Sequence, residues 1–178
     1  MKLKTWKKLS EKVISRNNHW SYHLDEFEIE GITRSEYHYV HSPGSTMVIP
    51  KIKNGNLLLV NQFRYLNQKE SLEFPCGSVE NGLTLQENAL KELREESGMS
   101  GDLEFIGEFS PYTGVSDEIC SVFIATNLIH SPLQSDLTEE FELVEISINK
   151  FEKLIEQNII WDGLTLSAWA LAKKHFTD

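Results

Sequence analysis

The stretch that most constrains this chain runs from Pro75 to Met99, P-C-G-S-V-E-N-G-L-T-L-Q-E-N-A-L-K-E-L-R-E-E-S-G-M. A loop holding Gly77 and Gly82 leads into an apolar-periodic run, Leu85, Ala89, Leu90 and Leu93, which predicts an amphipathic helix. Gly98 is its stop signal. The last turns carry Glu92, Glu95 and Glu96, which a helix projects from neighbouring sites on one face. Like charges at that spacing repel, and the C-terminal end of a helix prefers cations. The cluster therefore needs a positive partner. A hard divalent ion such as Mg²⁺, or Mn²⁺ in its place, would share such carboxylates with water and phosphate oxygens. A solvated acidic face is the competing reading of the bare E-x-x-E-E.

This stretch resembles the Nudix box, G-x5-E-x7-R-E-U-x-E-E-x-G-U with U a bulky aliphatic. Gly77 takes the first position, Glu92-Leu93 match E-U, Glu95-Glu96 match E-E, and Gly98-Met99 match G-U. Two positions depart: Leu83 stands for the first glutamate and Lys91 for the arginine, residues that in the family brace the loop against the helix. Lysine keeps the charge but loses the planar fork. Lys91 is expected to pair with Glu87 or Glu95, each one helical turn away. Asn88 is bulkier than the residue the family usually has there. The resemblance implies metal ligation by Glu92, Glu95, Glu96 and the main-chain carbonyl of Cys76. The Cys76 thiol is expected to be incidental, since no cationic neighbour in the sequence would activate it.

The flanks narrow the resemblance to the ADP-ribose pyrophosphatase branch. Gln62-Phe-Arg64 is similar to its Q-Y-R-like tripeptide and Glu73-Phe-Pro-Cys-Gly77 to its E-L-P-A-G-like entry. Phe109 to Glu118 looks like its S-P-G-x-S-x-E loop with Tyr112-Thr113 inserted. Trp161-Asp-Gly-Leu-Thr165 resembles its closing segment. The likeness spans roughly residues 20 to 172.

In that branch the general base is a glutamate on a loop beyond the box. Glu139, Glu140 and Glu142 are the candidates, with Glu140 and Glu142 favoured. Arg64 is the candidate for the substrate's phosphates or terminal ribose, because a guanidinium fork suits phosphate oxygens; an ion pair with Glu73 is the structural alternative. Glu118 is a candidate for a metal-bound water or for capping its loop. Trp20 and Tyr39 are candidates for stacking on the base.

The expected fold is the Nudix α/β/α sandwich, an α/β architecture with a mixed sheet between helices and a small N-terminal β extension. Residues 1–44 would form the extension and 45–178 the catalytic domain, with the turn Ser42-Pro-Gly-Ser45 as the boundary. The extension reads as short strands, Trp20–Asp25, Phe27–Glu30 and Tyr37–Val40. Beyond it come strands Thr46–Pro50, Asn56–Val60, Ile119–Thr126 and Leu143–Ile148, a helix from Lys150 to Gln157, and a terminal helix from Trp161 to about His175. The branch pairs two subunits through the extension, so a homodimer is implied.

Length and charge agree with this. The chain has 178 residues, 40% hydrophobic and 25% charged, the composition of an ordinary soluble domain. A net charge of −10 argues against a nucleic-acid surface. No apolar run is long enough to span a bilayer, and the basic N-terminus lacks the apolar core of a signal peptide. Cys76 and Cys120 form no disulfide framework, which points to a reducing cytoplasm. The implied reaction is metal-dependent hydrolysis of a nucleoside diphosphate derivative, first of all ADP-ribose to AMP and ribose 5-phosphate. The alternatives are a nucleotide sugar such as GDP-mannose or UDP-glucose, or a catalytically weak domain that senses a nucleotide.

Overall fold

The computed structural model describes residues 3–134 and 140–176. Its centre is a four-stranded sheet in the order β7 (Cys76–Ser78), β4 (Ser45–Pro50), β9 (Cys120–His130), β8 (Met99–Phe109). Strands β4 and β9 run parallel, Ser45 opposite Cys120 and Pro50 opposite Ala125, and the outer pairs are antiparallel. Both central strands are buried throughout their shared length, as a sheet covered on both faces requires. Alternate residues serve opposite layers. Val48, Phe123 and Ala125 meet Ala89 and Leu93 of the helix α1 (Leu85–Ser97). Met47, Ile49, Val122 and Ile124 meet a larger core with Phe74, Phe151, Ile160 and Trp169.

That second core is supplied by helices α2 (Ile148–Glu156) and α3 (Gly163–Ala172) and by a small antiparallel sheet, β10 (Glu142–Ile146), β5 (Leu57–Arg64) and β6 (Lys69–Glu73). Phe151 packs its ring on both Phe74 and Trp169 at centroid distances of 5.2 and 5.0 Å. The expected sandwich is present, with the strands divided between two sheets rather than gathered into one. The N-terminal extension is a third sheet, β1 (Trp6–Arg16), β2 (Ser21–Ile29) and β3 (Thr33–His41). It joins the rest through β3: Val40 N–H donates to Val115 O at 2.8 Å, and His41 Nδ1 lies 2.7 Å from Asp117 Oδ2.

Three differences from the sequence reading have local causes. Trp20–Asp25 and Phe27–Glu30 belong to one continuous strand, because Glu26 pairs with both neighbours and interrupts nothing. β1 escapes notice because all eleven of its residues are exposed, so it lacks the alternation that marks a half-buried strand. β8 escapes notice because register shifts at Ser100/Asp102 and Phe105/Gly107 break its period of two.

Candidate active site

Helix α1 is held at both ends by its own sequence. Thr84 caps the N-terminus, its Oγ1 accepting from Glu87 N–H while the Glu87 carboxylate accepts from Thr84 N–H at 2.8 Å. Gly98 closes the helix at φ 69°, a left-handed cap that glycine adopts without strain. The segment beyond β9 is tied to that end, with Arg94 Nε donating to Ser131 O at 2.8 Å and Leu133 N–H to Arg94 O at 3.2 Å.

The loop between β7 and α1 closes over the helix at one point. A Cβ placed on Gly77 would lie 2.2 Å from the Glu92 carboxylate, so only glycine leaves room for it. Beside it, Cys76 N–H donates to Glu96 Oε2 at 3.3 Å. Glu92 and Glu96 are both buried. Together with Glu95, Glu80, Lys91 and Gln134 they line an open cleft of about 620 Å³.

Asn88, fully buried, supplies the brace that Leu83 cannot. Its Oδ1 accepts from Glu80 N–H and its Nδ2 donates to Thr46 Oγ1, both at 2.9 Å, so one amide ties loop, helix and central sheet together. Lys91 pairs with Glu95, as expected, and adds Glu80 at 3.2 Å and Glu92 at 3.9 Å. Glu87 is spent on the helix cap instead. Partial burial pulls the Lys91 pKa down, but the hydrogen bonds to Glu95 and Glu80 outweigh it, and the net shift is upward. Lys91 stays an ammonium among carboxylates.

The donor set fits a hard divalent cation, being carboxylate and carbonyl oxygen with a glycine cradle for one of the carboxylates. Among the described residues no three acidic, His or Cys groups close on a single point. An ion here would therefore share its shell with water and substrate oxygens, as Mg²⁺ commonly does. The Cys76 thiol contacts Cys120 and is raised by that hydrogen bond, by burial and by the charge of Glu96, which suits an inert thiol.

None of the other predicted residues that the structure describes, Arg64, Glu73, Glu118, Trp20, Tyr39, Glu140 and Glu142, lines this cleft. Arg64 and buried Glu73 form a bidentate pair through Nε and Nη2, with Gln62 Nε2 3.5 Å from the same carboxylate. The hydrogen bond to Glu73 raises the Arg64 pKa, and Asp162 and Cys76 lie near enough to contribute to the same shift. Glu118 accepts from Ser45 Oγ at 2.7 Å, the loop-capping arrangement. Trp20 is exposed on the turn whose Asn18 and His19 line the cleft. Tyr39 is elsewhere, on β3 beside Lys8. Glu142 opens β10 and accepts from Asn61 at 3.4 Å; Glu140 is exposed, and neither lines the cleft. Glu139 falls outside the described residues. Sequence reasoning missed Glu80 as a cleft residue; its place two positions before Gly82, within the loop, was the available signal.

The family model for the NUDIX domain matches residues 42–163. The chain belongs to the NUDIX domain family and is a Nudix hydrolase. It is 29% identical over 170 residues to the ADP-ribose pyrophosphatase of Bacillus subtilis (strain 168), covering 91% of this chain and 92% of that one. It is 28% identical over 148 residues to the methanol dehydrogenase activator of Bacillus methanolicus, 82% and 80% covered. A crystal structure of an ADP compounds hydrolase superposes with a TM-score of 0.85 at 20% identity, over 98% of this chain and 96% of that one. Among the described residues no helix is long and apolar enough to cross a membrane.

Proposed function

We propose that the protein hydrolyses a nucleoside diphosphate derivative in an Mg²⁺-dependent reaction, with ADP-ribose, giving AMP and ribose 5-phosphate, as its first substrate. The observation that carries this reading is the Glu92 carboxylate held against Gly77 in a cleft shared with Glu95 and Glu96. The likeness to an ADP-ribose pyrophosphatase over nearly the whole chain supports the substrate.

Glu92, Glu95, Glu96 and the Cys76 carbonyl would hold the metal. When bound it would neutralise the diphosphate oxygens and lower the pKa of a water. Gly77 keeps the Glu92 carboxylate at the loop, and Asn88 keeps the loop on the helix. Arg64, positioned by Glu73, would meet a phosphate or the terminal ribose with Nη1, which takes no part in the Glu73 pair. A carboxylate among Glu139, Glu140 and Glu142 would take the proton of the attacking water. In this reading residues 1–44 are a dimerisation extension and 45–178 the catalytic domain of a cytoplasmic homodimer. The outer edge strand β1, with Trp6, Leu9, Val13 and Ile14 exposed, supports a self-pairing surface.

A nucleotide-sugar pyrophosphatase is the same chemistry on another leaving group. A nucleotide sensor is the second reading, favoured by the Lys91 ammonium among the carboxylates that would otherwise call for metal. The test is phosphate-coupled turnover of ADP-ribose, GDP-mannose and UDP-glucose, with Mg²⁺ and with EDTA, on wild type and Glu96→Gln. Metal-dependent cleavage favouring ADP-ribose, lost in the variant, is expected. Binding without turnover on any compound would replace the enzyme by the sensor.

A further inference from the structure

Arg64 and the acidic cleft belong to one proposed site, yet Arg64 does not line the cleft. What joins them is the segment Glu73-Phe74-Pro75-Cys76, where the chain passes from the small sheet to the central one. One end carries the buried Glu73 carboxylate that grips Arg64 through Nε and Nη2. The other end carries the Cys76 carbonyl, and the Cys76 N–H donates to Glu96 Oε2 at 3.3 Å. The path of this segment therefore sets where the guanidinium stands relative to the carboxylates.

Each residue of the segment is held by a different element. Glu73 pairs with Val60 of β5. Pro75 O accepts from Val48 N–H of β4 at 2.9 Å. Cys76 is held by Glu96 of α1. Phe74 lies between the strands, and its N–H donates to Thr165 Oγ1 of α3 at 3.3 Å. Phe74 and Thr165 are both fully buried, so that N–H has no solvent to turn to. Thr165 is itself fixed: its N–H donates at 2.7 Å to Oδ2 of Asp162, the N-cap of α3. Asp162 lies near enough to Arg64 and Cys76 for its charge to reach both. The cap of α3 thus stands beside both halves of the site and holds the segment that links them.

We infer that Thr165, set by Asp162, is a positioning residue: through the Phe74 amide it fixes the Glu73–Arg64 pair relative to the metal carboxylates, so that one nucleotide can meet both. The inference rests on the hydrolase reading above and deepens it with residues that act through others. A cap serving α3 alone would need Asp162, but it would have no use for a threonine hydroxyl spent on another element's amide. A misplacement of about 1 Å can cost about a hundredfold in rate, so a small movement of 73–76 is enough to uncouple guanidinium from metal.

The experiment is isothermal titration calorimetry of Mg²⁺, and of a non-hydrolysable α,β-methylene analogue of ADP-ribose with and without Mg²⁺, into the full chain. In wild type Mg²⁺ is expected to strengthen analogue binding, since the two ligands share the site. Thr165→Val keeps the shape of the side chain but removes the oxygen. It should bind each ligand alone within about threefold of wild type and lose about tenfold of the strengthening. Thr165→Ser, which keeps the hydroxyl, should retain it. Asp162→Ala is the second variant, should Thr165→Val fail to fold, and is expected to lose the strengthening in the same way. Arg64→Lys should show the same loss, and Thr165→Val added to it should subtract nothing further. Ala168→Gly, buried on the same helix, is the control for stability: its thermal midpoint should fall while its strengthening matches wild type. Thr165→Val with the strengthening intact, or Ala168→Gly with it lost, would overturn the assignment. A wild type that binds the analogue no better with Mg²⁺ would bring down the hydrolase reading, and this inference with it. The two failures are thus read in different proteins.

Discussion

Gly77 and Glu92 meet so closely that the absence of a side chain at 77 is what admits the carboxylate at 92. The first Cβ would stand 2.2 Å from that carboxylate, with both Glu92 oxygens within 2.5 Å. Gly77→Ala must therefore push Glu92 out of its place or lift the loop. Metal affinity measured by calorimetry should fall at least tenfold and turnover with it, while far-UV circular dichroism is unchanged. Unaltered metal affinity would show that Glu92 does not ligate from this position.

Asn88 makes two buried hydrogen bonds, one to the loop and one to the central sheet. Asn88→Ala leaves the Glu80 N–H and the Thr46 hydroxyl without those partners and opens a small void, at a cost of about 2–4 kcal/mol. Urea unfolding should report the loss, and amide exchange at residues 78–82 should quicken well before the rest of the chain. A uniform loss of protection across the fold would mean that Asn88 is ordinary core and not a brace.

Lys91 is the resident cation of the cleft. Lys91→Met leaves Glu80, Glu92 and Glu95 without that ammonium, so the thermal midpoint in EDTA should drop by several degrees. Added Mg²⁺ should recover more stability in the variant than in wild type, because only the variant lacks its own counter-charge. Equal metal shifts in the two proteins would show that Lys91 and a metal ion do not compete for these oxygens. The sign with pH follows from the raised pKa: the stabilisation by Lys91 is complete below the unfolded lysine value of about 10.4 and fades as pH rises through the higher folded value.

The capping box gives the opposite sign. Backbone and side-chain hydrogen bonds from Thr84 hold the Glu87 carboxylate below its usual range. Its contribution is present above the unfolded glutamate value of about 4.3 and is lost as pH falls through the lower folded value. Glu87→Gln should narrow the difference in thermal midpoint between neutral pH and the acid limb, compared with wild type. An unchanged acid limb would remove Glu87 from the cap's energetics.

How much of this was legible in the sequence depended on whether the signal was local. Helix α1 was, because its apolar period, its glutamate spacing and the Gly98 stop all lie within one stretch. The pairing of Lys91 with Glu95 follows from helical geometry alone. The alternative partner, Glu87, is lost to Thr84, a cap written in the sequence as T-x-x-E. Asn88 looked like a departure from the family pattern because its partners, Glu80 and Thr46, are joined to it only by the tertiary fold. Trp20 and Tyr39 could be named as aromatic but not as separated, since that depends on which strand faces which loop. The glutamates near 140 have the same difficulty, their reach being set by a loop and not by spacing.

The parallel pairing of β4 with β9 joins residue 45 to residue 120, with β5, β6, β7, α1 and β8 all threaded between. During synthesis α1 leaves the ribosome before the strand that completes its floor exists. Val48 of β4 and Met99 and Leu103 of β8 are made earlier, but the apolar stripe of α1 is covered in full only when Phe123 and Ala125 of β9 have emerged. Closing so long a loop is entropically slow, and it is the step that completes the cover of α1. The cleft is thus assembled late in folding, and a chain stalled before β9 would be an acidic, sticky fragment rather than a half-active enzyme.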